Sequence, residues 1–514
     1  MVAAENDALP GGKVGGIGDV VRDVPPALAA QGCQVHVVTP AYHTLARLPT
    51  ATRSTTISVT FGGKVHSVDI YQVVADAAHA GVTHWVVDHP DFSPCGAGRI
   101  YCDDGPDSPF ATDATKFALF CTVVAELVKQ AYFGRLDILH AHDWHAALLL
   151  VLRQYHRDYR CLQQTPCVYT IHNLSLQGIR PLGDHASSLQ SWHPDLIVDA
   201  AVTDPRWPDC INLMRAGITL ADKVHAVSPT YAAEILKPSA VDEKGYFGGE
   251  GLEADLQQAN TQGRLCGILN GCDYPPEAEY EPVQRSVLKA LLQAELWRWI
   301  GRESQVSSAH FIAEKGLQQF AGRDDQLLIT SVGRVTGQKV SLLQQRLPDG
   351  QTALETLLEC LGQRGSWLFL GSGDEPLEQF LTAVSAQYDN FIFLRGYSDS
   401  VAQALYRSGD LFMMPSSFEP CGISQMLAMR AGQPCLVHQV GGLTDTVAHE
   451  ATGFCFSGDS MQEQAEAMVR AFAAALDYRL KEPRAWEHIC NEAAQSRFSW
   501  HSSIGRYLNE LYQV

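Results

Sequence analysis

The sequence predicts an α/β protein made of two doubly wound domains, each a parallel sheet covered by helices. Three observations carry this. Short apolar, β-rich runs that end in turn residues recur along the chain, longer segments with helical spacing separate them, and the series breaks once, near Leu265 to Tyr274. Apolar runs of four to eight residues alternating with helices are the signature of strands buried on both faces, and two such series imply two sheets.

Taken in order, a helix around Asp19 to Gln31 leads into a strand over Cys33 to Pro40. VTHWVVD, LDILHAHD and CVYTIHN follow as strands, with a helix from Thr115 to Gln130 among them, and Asp222 to Pro229 (DKVHAVSP) repeats the form. GILNGCDY and the proline- and glutamate-rich PPEAEYEP then mark a linker. The second series is LLITSVGR, SWLFLGSGD, NFIFLRGY, DLFMMPSS and QPCLVHQ. The polar stretch from Arg302 to Asp325 receives no assignment.

The 514 residues are 46% apolar and 18% charged, an ordinary globular balance with room for a core in each domain. No window approaches the roughly 18 apolar residues of a membrane span, and MVAAENDALPGGK lacks the basic start and apolar core of a signal peptide. A net charge of −19 speaks against nucleic acid or an anionic membrane as partner. Any phosphate site must therefore be made locally. The 14 cysteines are scattered without CxxC pairs and read as mostly reduced and buried, as in a cytoplasmic protein.

Ligands of open parallel sheets bind beyond the carboxyl ends of strands, and five motifs fall at such places. Lys13-Val-Gly-Gly-Ile-Gly-Asp19 offers backbone amides, a helix start and a cation to a phosphate, although a purely structural turn has the same form. His140-Ala-His142-Asp143-Trp144-His145 admits a metal, a hydrogen-bonded structural cluster or a sugar-facing loop. Strand alternation places His140 and His142 on one face and turns Asp143 away. His172 and Asn173, ending a strand, suit sugar hydroxyls or a structural role. Arg334 and Lys339 can clamp a diphosphate, one bidentately and one as a point charge, or form a solvated basic turn. Finally, Glu419 in FEPCG, opposite GGLTDT (Gly441 to Thr446), makes a sugar and phosphate cradle. Cys421 beside it lacks an evident base and is not read as a nucleophile.

In their joint order these motifs, with NLMRAGITLADKVHAVSPTYAAEI, GILNG and FSWHSSIGRYL, resemble the bacterial glycogen synthase and plant starch synthase family over nearly the whole chain. The resemblance implies a GT-B fold: two Rossmann-like domains facing an interdomain cleft, here 1–265 and 266–495, with a helix over 496–514 crossing back to the first. It implies transfer of glucose from ADP-glucose to the non-reducing end of an α-1,4-glucan, with retention and without cofactor or metal. Lys13, Gly15 and Gly16 would lie near the acceptor and diphosphate, and Asp143, His172 and Asn173 would face the glucosyl group. Arg334 and Lys339 would hold the diphosphate, and Glu419, Cys421 and Gly422 the glucose. Gly442, Leu443 and Thr446 would contact the donor phosphates, with Asn270 at the hinge. The rival readings are a UDP-glucose-dependent GT-B transferase and a catalytically weak glucan-binding relative; a phosphorylase lacks a recognisable pyridoxal lysine. Four departures from the family pattern stand out: only Met1 and Val2 precede AAENDALP, so the numbering starts inside the expected first strand; Val340 replaces a glycine expected at a helix start; Ser417 replaces an arginine; and Leu427 stands where a wider pattern has a second glutamate.

Overall fold

A computed structural model describes the chain except residues 76, 78, 275–281, 303–306, 321–325 and 514, and the side chains of 242 and 243. Most of the expected linker PPEAEYEP thus lies outside the described residues. The chain forms two compact units, one of Met1–Ser239, Phe247–Asn270 and Trp500–Val514, the other of Ala240–Tyr246 and Gly271–Ser499.

The first unit contains β1 (Val35–Pro40), β2 (Ala51–Phe61), β3 (Lys64–Val73), β4 (Val82–Asp88), β5 (Leu139–His142), β6 (Cys167–Ile171), β7 (Ile179–Pro181), β8 (Cys210–Asn212), β9 (Lys223–Ala226) and β10 (Leu265–Gly267). Two four-stranded arrays, β1-β4-β3-β2 and β10-β9-β6-β5, are joined at the centre by the first residues of the chain. Val2 bridges Val38 on one side and Ala141 on the other, both in parallel. Its N–H donates to His140 O at 2.8 Å, and its carbonyl accepts from His142 N–H at 3.1 Å. Although too short to be a strand of its own, this segment fills the central slot and is fully buried. With it counted first and the β2–β3 hairpin set aside, β4-β1-Val2-β5-β6-β9 has the order 3-2-1-4-5-6, with β10 added beyond β9; this is the doubly wound order whose reversal point receives ligands.

The sheet is not parallel throughout. β2 pairs with β3, and β3 with β4, antiparallel, so the all-parallel expectation fails at this edge. The cause is a hairpin over residues 51–73, closed by Gly62 and Gly63 at φ of 57° and 70°, the left-handed pair a two-residue turn requires.

The second unit contains β11 (Leu327–Val332), β12 (Gly365–Gly371), β13 (Phe391–Arg395), β14 (Leu411–Met414), β15 (Cys435–His438) and β16 (Gly453–Phe456), in the order β13-β12-β11-β14-β15-β16. All five pairings are parallel, and this too is 3-2-1-4-5-6. One apolar cluster, around Trp367, Phe391 and Phe472, is distinct from another around Leu328, Leu368 and Phe412. Alternating strand residues such as Trp367 and Leu368 divide between them, as a sheet buried on both faces requires. Within the unassigned Arg302 to Asp325 stretch, Ser308–Gln319 is helical.

The C-terminal helix Trp500–Arg506 packs on the first unit, where Trp500, Ile504 and Tyr507 join Val21, Val24 and Val37 in one cluster. Trp500 Nε1–H donates to Asp23 Oδ2 at 3.1 Å. Among the cysteines one pair, Cys95–Cys102, is a disulfide and twelve are free, five of them buried. The reduced, buried reading therefore needs correcting for that one loop and for the partly exposed thiols. No described helix is long and apolar enough to cross a membrane.

Candidate active site

In the second unit the reversal of strand order lies between β11 and β14, and the candidate charges sit on the loops that leave these two strands. After β11 the backbone is held on both sides of Arg334. Gly333 N–H donates to Leu370 O at 3.1 Å and Val335 N–H to Ser372 O at 2.9 Å. The Arg334 side chain itself is exposed and has no ion-pair partner among the described residues. Lys339 follows in the helix Gly337–Gln344, and its ammonium is ion-paired with Glu419, which comes from the loop after β14. Glu419 is 7% exposed, and Ser416 Oγ–H donates to its Oε2 at 3.2 Å. A carboxylate this buried needs such a cation, since an unpaired one would carry the full desolvation cost.

The Glu419 loop rests on the helix Gly441–Thr446. A Cβ on Gly441 would strike Glu419 O and one on Gly442 would strike Cys421 O, so two glycines allow two backbones to touch. Gly442 N–H donates to Glu419 O at 3.1 Å and Leu443 N–H to Val440 O at 3.1 Å. These amides are internally bonded. Leu443 lies in the core, and Thr446 Oγ–H donates to Gly442 O at 2.7 Å. Gln425, which the sequence reading passed over, binds this arrangement: its Nε2 donates to Cys421 O at 3.2 Å, Gly422 O at 3.0 Å and Thr446 Oγ1 at 3.2 Å. Cys421 is buried.

Two departures find their place here. Val340 is the fourth residue of the helix Gly337–Gln344 and fully buried beside Leu343 and Leu354. It is absent from the positive-φ residues, so the backbone here is one a valine adopts without strain although a glycine was expected at this place. Ser417 Oγ–H donates to Gln338 O at 3.2 Å and its N–H to the same oxygen at 2.9 Å, tying the two loops together where an arginine was expected.

In the first unit the corresponding reversal lies between the Val2 segment and β5. Glu5, another residue unread in the sequence, is 2% exposed. Its Oε2 accepts Val14 N–H at 2.8 Å and Gly15 N–H at 2.6 Å, and its Oε1 accepts Tyr101 O–H at 2.7 Å. The amides expected to meet a phosphate thus hold an internal carboxylate, a correction to the glycine-loop reading. Lys13 donates to Asp19 Oδ1 at 2.6 Å and lies 3.5 Å from Asp7. Burial pulls its ammonium down, but Asp19 and Asp7 outweigh this and raise it overall. Gly16 opens the helix Gly16–Ala29 and is exposed.

Asp143 takes a left-handed φ of 54° at the start of the helix Asp143–Tyr155, an unusual conformation of the kind found at functional sites. Its Oδ1 accepts His172 N–H at 2.7 Å. Burial pushes this carboxyl up to about 8, against the pull of the His172 and Asn173 amides. His172 Nε2 and His142 Nδ1 are 3.0 Å apart, and burial brings His172 down to about 3, leaving a neutral ring. Asn173 Oδ1 accepts Ser175 N–H at 3.0 Å. His140 stacks on His142 with centroids 4.3 Å apart, and its nitrogens contact Tyr512 Oη at 2.8 Å and Thr170 Oγ1 at 2.6 Å. Within HAHDWH, His140, His142 and Asp143 are thus hydrogen-bonded, whereas the buried His142 Nε2, Trp144 Nε1 and His145 Nδ1 have no partner among the described residues. Asn270, at the end of the unit's middle segment, donates its N–H to Val227 O at 3.3 Å, and its buried Oδ1 has no partner among the described residues.

The fold agrees with what known proteins show. A family model described as "Starch synthase catalytic domain" matches residues 1–258, and one described as "Glycosyl transferases group 1" matches 329–474. The glycogen synthase of Burkholderia thailandensis is 32% identical over 99% of this chain and 89% of its own. That of Aeromonas salmonicida is 31% identical over 100% and 97%. The solved catalytic domain of starch synthase IV from Arabidopsis thaliana, bound to ADP and acarbose, superposes with a TM-score of 0.73 at 26% identity, covering 99% of this chain and 97% of that one. A relative 32% identical over 99% of this chain and a catalytic-domain model over half of it leave one conclusion: the chain belongs to the glycogen synthase and starch synthase family of glycosyltransferases.

Proposed function

We propose that the protein transfers glucose from ADP-glucose to the non-reducing end of an α-1,4-glucan with retention of configuration. The observation that carries this reading is the Lys339–Glu419 pair at the strand-order reversal of the second unit, with Arg334 exposed beside it in the chain. In this reading Arg334 and Lys339 hold the donor diphosphate, and Glu419 turns from its ammonium partner toward the hydroxyls of the glucose. Asp143, His172 and Asn173 of the first unit serve the glucosyl group, and Lys13, Gly15 and Gly16 lie toward the acceptor. The relative bound to ADP and acarbose, a nucleotide and a sugar ligand, supports both assignments.

The chemistry asks for charge stabilisation more than for a nucleophile. The bond from the anomeric carbon to the diphosphate oxygen breaks with its electron pair going to the phosphate, and the sugar becomes oxocarbenium-like. Two fixed cations stabilise the departing anion as it forms, the kind of preorganised electrostatics that supplies much of enzymatic rate enhancement. A neutral His172 avoids placing a positive charge beside the developing cation. The new bond forms from the acceptor hydroxyl on the same face, and its proton passes to the departing phosphate. We place the reaction in the cytoplasm.

Initial rates on glycogen with ADP-glucose and UDP-glucose test the proposal. A strong preference for ADP-glucose is expected. A preference for UDP-glucose overturns the donor assignment, and glycogen binding with no nucleotide release from either donor overturns catalysis.

A further inference from the structure

Outside the residues discussed so far, one group of side chains has the composition of a metal site. His66 lies on β3, and His89 and Asp91 lie in the turn after β4. The antiparallel register that sets Asp69 opposite Asp88 runs on to bring residue 66 against that turn. One ligand atom from each of the three residues falls within 4.8 Å of the others.

We propose that His66, His89 and Asp91 bind a divalent cation of the zinc class through two imidazole nitrogens and a carboxylate. The two nitrogens that face each other, His66 Nδ1 and His89 Nε2, are 3.4 Å apart. That is beyond the roughly 2.7–3.2 Å of an N–H hydrogen bond to a good acceptor. It matches the separation of about 3.4 Å that two nitrogens take when each lies about 2.0–2.1 Å from one tetrahedral metal. Imidazole with carboxylate suits zinc, copper or nickel and does not suit calcium or magnesium. The rings are held before any ion arrives: His66 meets buried Phe61 edge-on at 6.0 Å and His89 meets buried Phe92 edge-on at 6.1 Å.

The carboxylate completes the set. Asp91 Oδ2 is 3.6 Å from His89 Nδ1, and its side chain is 57% exposed, so it can turn toward the ion and gives the ion an entry path. Loading Nε2 of His89 moves the ring proton to Nδ1. The contact that nitrogen now accepts from Asp91 N–H at 3.2 Å is given up. A fourth position stays open to water. The bound ion would pin the β2–β3 hairpin to the turn after β4.

The test uses the full chain with its thiols alkylated, because Cys161 is exposed and thiolates would compete for zinc. Zinc is titrated against a chromophoric chelator into wild type, His66→Ala/His89→Ala and Asp91→Asn. Wild type should hold one tight equivalent and gain several degrees in Tm. The double variant should lose at least about a hundredfold in affinity and the Asp91 variant about tenfold. Metal-free glucosyl transfer should be the same in all three proteins, which shows that the variants fold. Equal zinc affinity and stoichiometry in wild type and the double variant would overturn the proposal, as would a wild type that binds no zinc. Should the double variant fold poorly, cobalt(II) added to wild type and Asp91→Asn decides: identical ligand-field spectra would sink the site.

Discussion

The two units share a strand order and place their candidate residues at the same topological position, yet the positions are wired in opposite ways. At the first, polar groups meet internal partners: Glu5 holds two loop amides and a tyrosine, Lys13 holds Asp19, and Asp143 holds the His172 amide. At the second, Lys339 and Glu419 balance each other, and Arg334 is left facing solvent. At the first position the charges are partnered from within, whereas the second leaves the Arg334 cation exposed and without an ion-pair partner among the described residues. Under the proposed function, one doubly wound plan serves the sugar at one position and the diphosphate at the other, according to whether its charges are cancelled from within.

Acid should separate the two units most widely. Burial lowers His145, His172 and His193 to about 3 and His84 and His225 to about 4, all in the first unit, against His438 at about 4 in the second. A folded value below the unfolded one of about 6.5 means that the unfolded chain binds more protons. The contribution is complete above about pH 6.5 and is lost as pH falls toward 3–4, at about 1–2 kcal/mol per ring by pH 5. Asp143 has the opposite sign, its contribution being lost as pH rises toward 8. Hydrogen exchange at pH 7 and pH 5 should show β5, β6 and β9 losing protection before β11 to β15. Loss in the second unit first would break the comparison.

Glu419→Ala should cut turnover at least a hundredfold, on the order of 3 kcal/mol of transition-state stabilisation. Near-normal kcat would remove Glu419 from the site. Val340→Gly tests whether the second unit needs its valine for packing alone. Losing a buried side chain and introducing glycine into a helix should cost about 2–3 kcal/mol in urea unfolding, with the KM for ADP-glucose unchanged. A large rise in KM would instead give that residue a part in the site. Glu5→Ala should cost about 2 kcal/mol by freeing two amides and a tyrosine hydroxyl, lowering Tm while leaving ADP affinity intact. Weaker ADP binding would show that the first unit's glycine loop takes part in gripping the nucleotide.

The second unit was the more legible in sequence because its strands are buried on both faces and stand out as apolar runs. Arg334, Lys339 and Glu419 were visible for the same reason, each lying just past such a run. The hairpin over 51–73 went unread because its outer face is polar and solvated, although Gly62 and Gly63 between alternating residues carried the signal. Glu5 could not be read at all. Its role appears only once Met1–Ala3 slot between β1 and β5, a pairing with a strand more than 130 residues away. Val340 was misjudged because glycine was expected from the resemblance, whereas the position is the inner face of a helix turn.

The uncompensated cation of the second unit is the centre of this account, and Arg334→Ala reaches it without leaving a buried partner unpaired. Calorimetric titration with ADP should show an affinity at least about tenfold weaker than wild type, or about 1.4 kcal/mol, with Tm unchanged. An Arg334→Ala protein that binds ADP as tightly as wild type would contradict it.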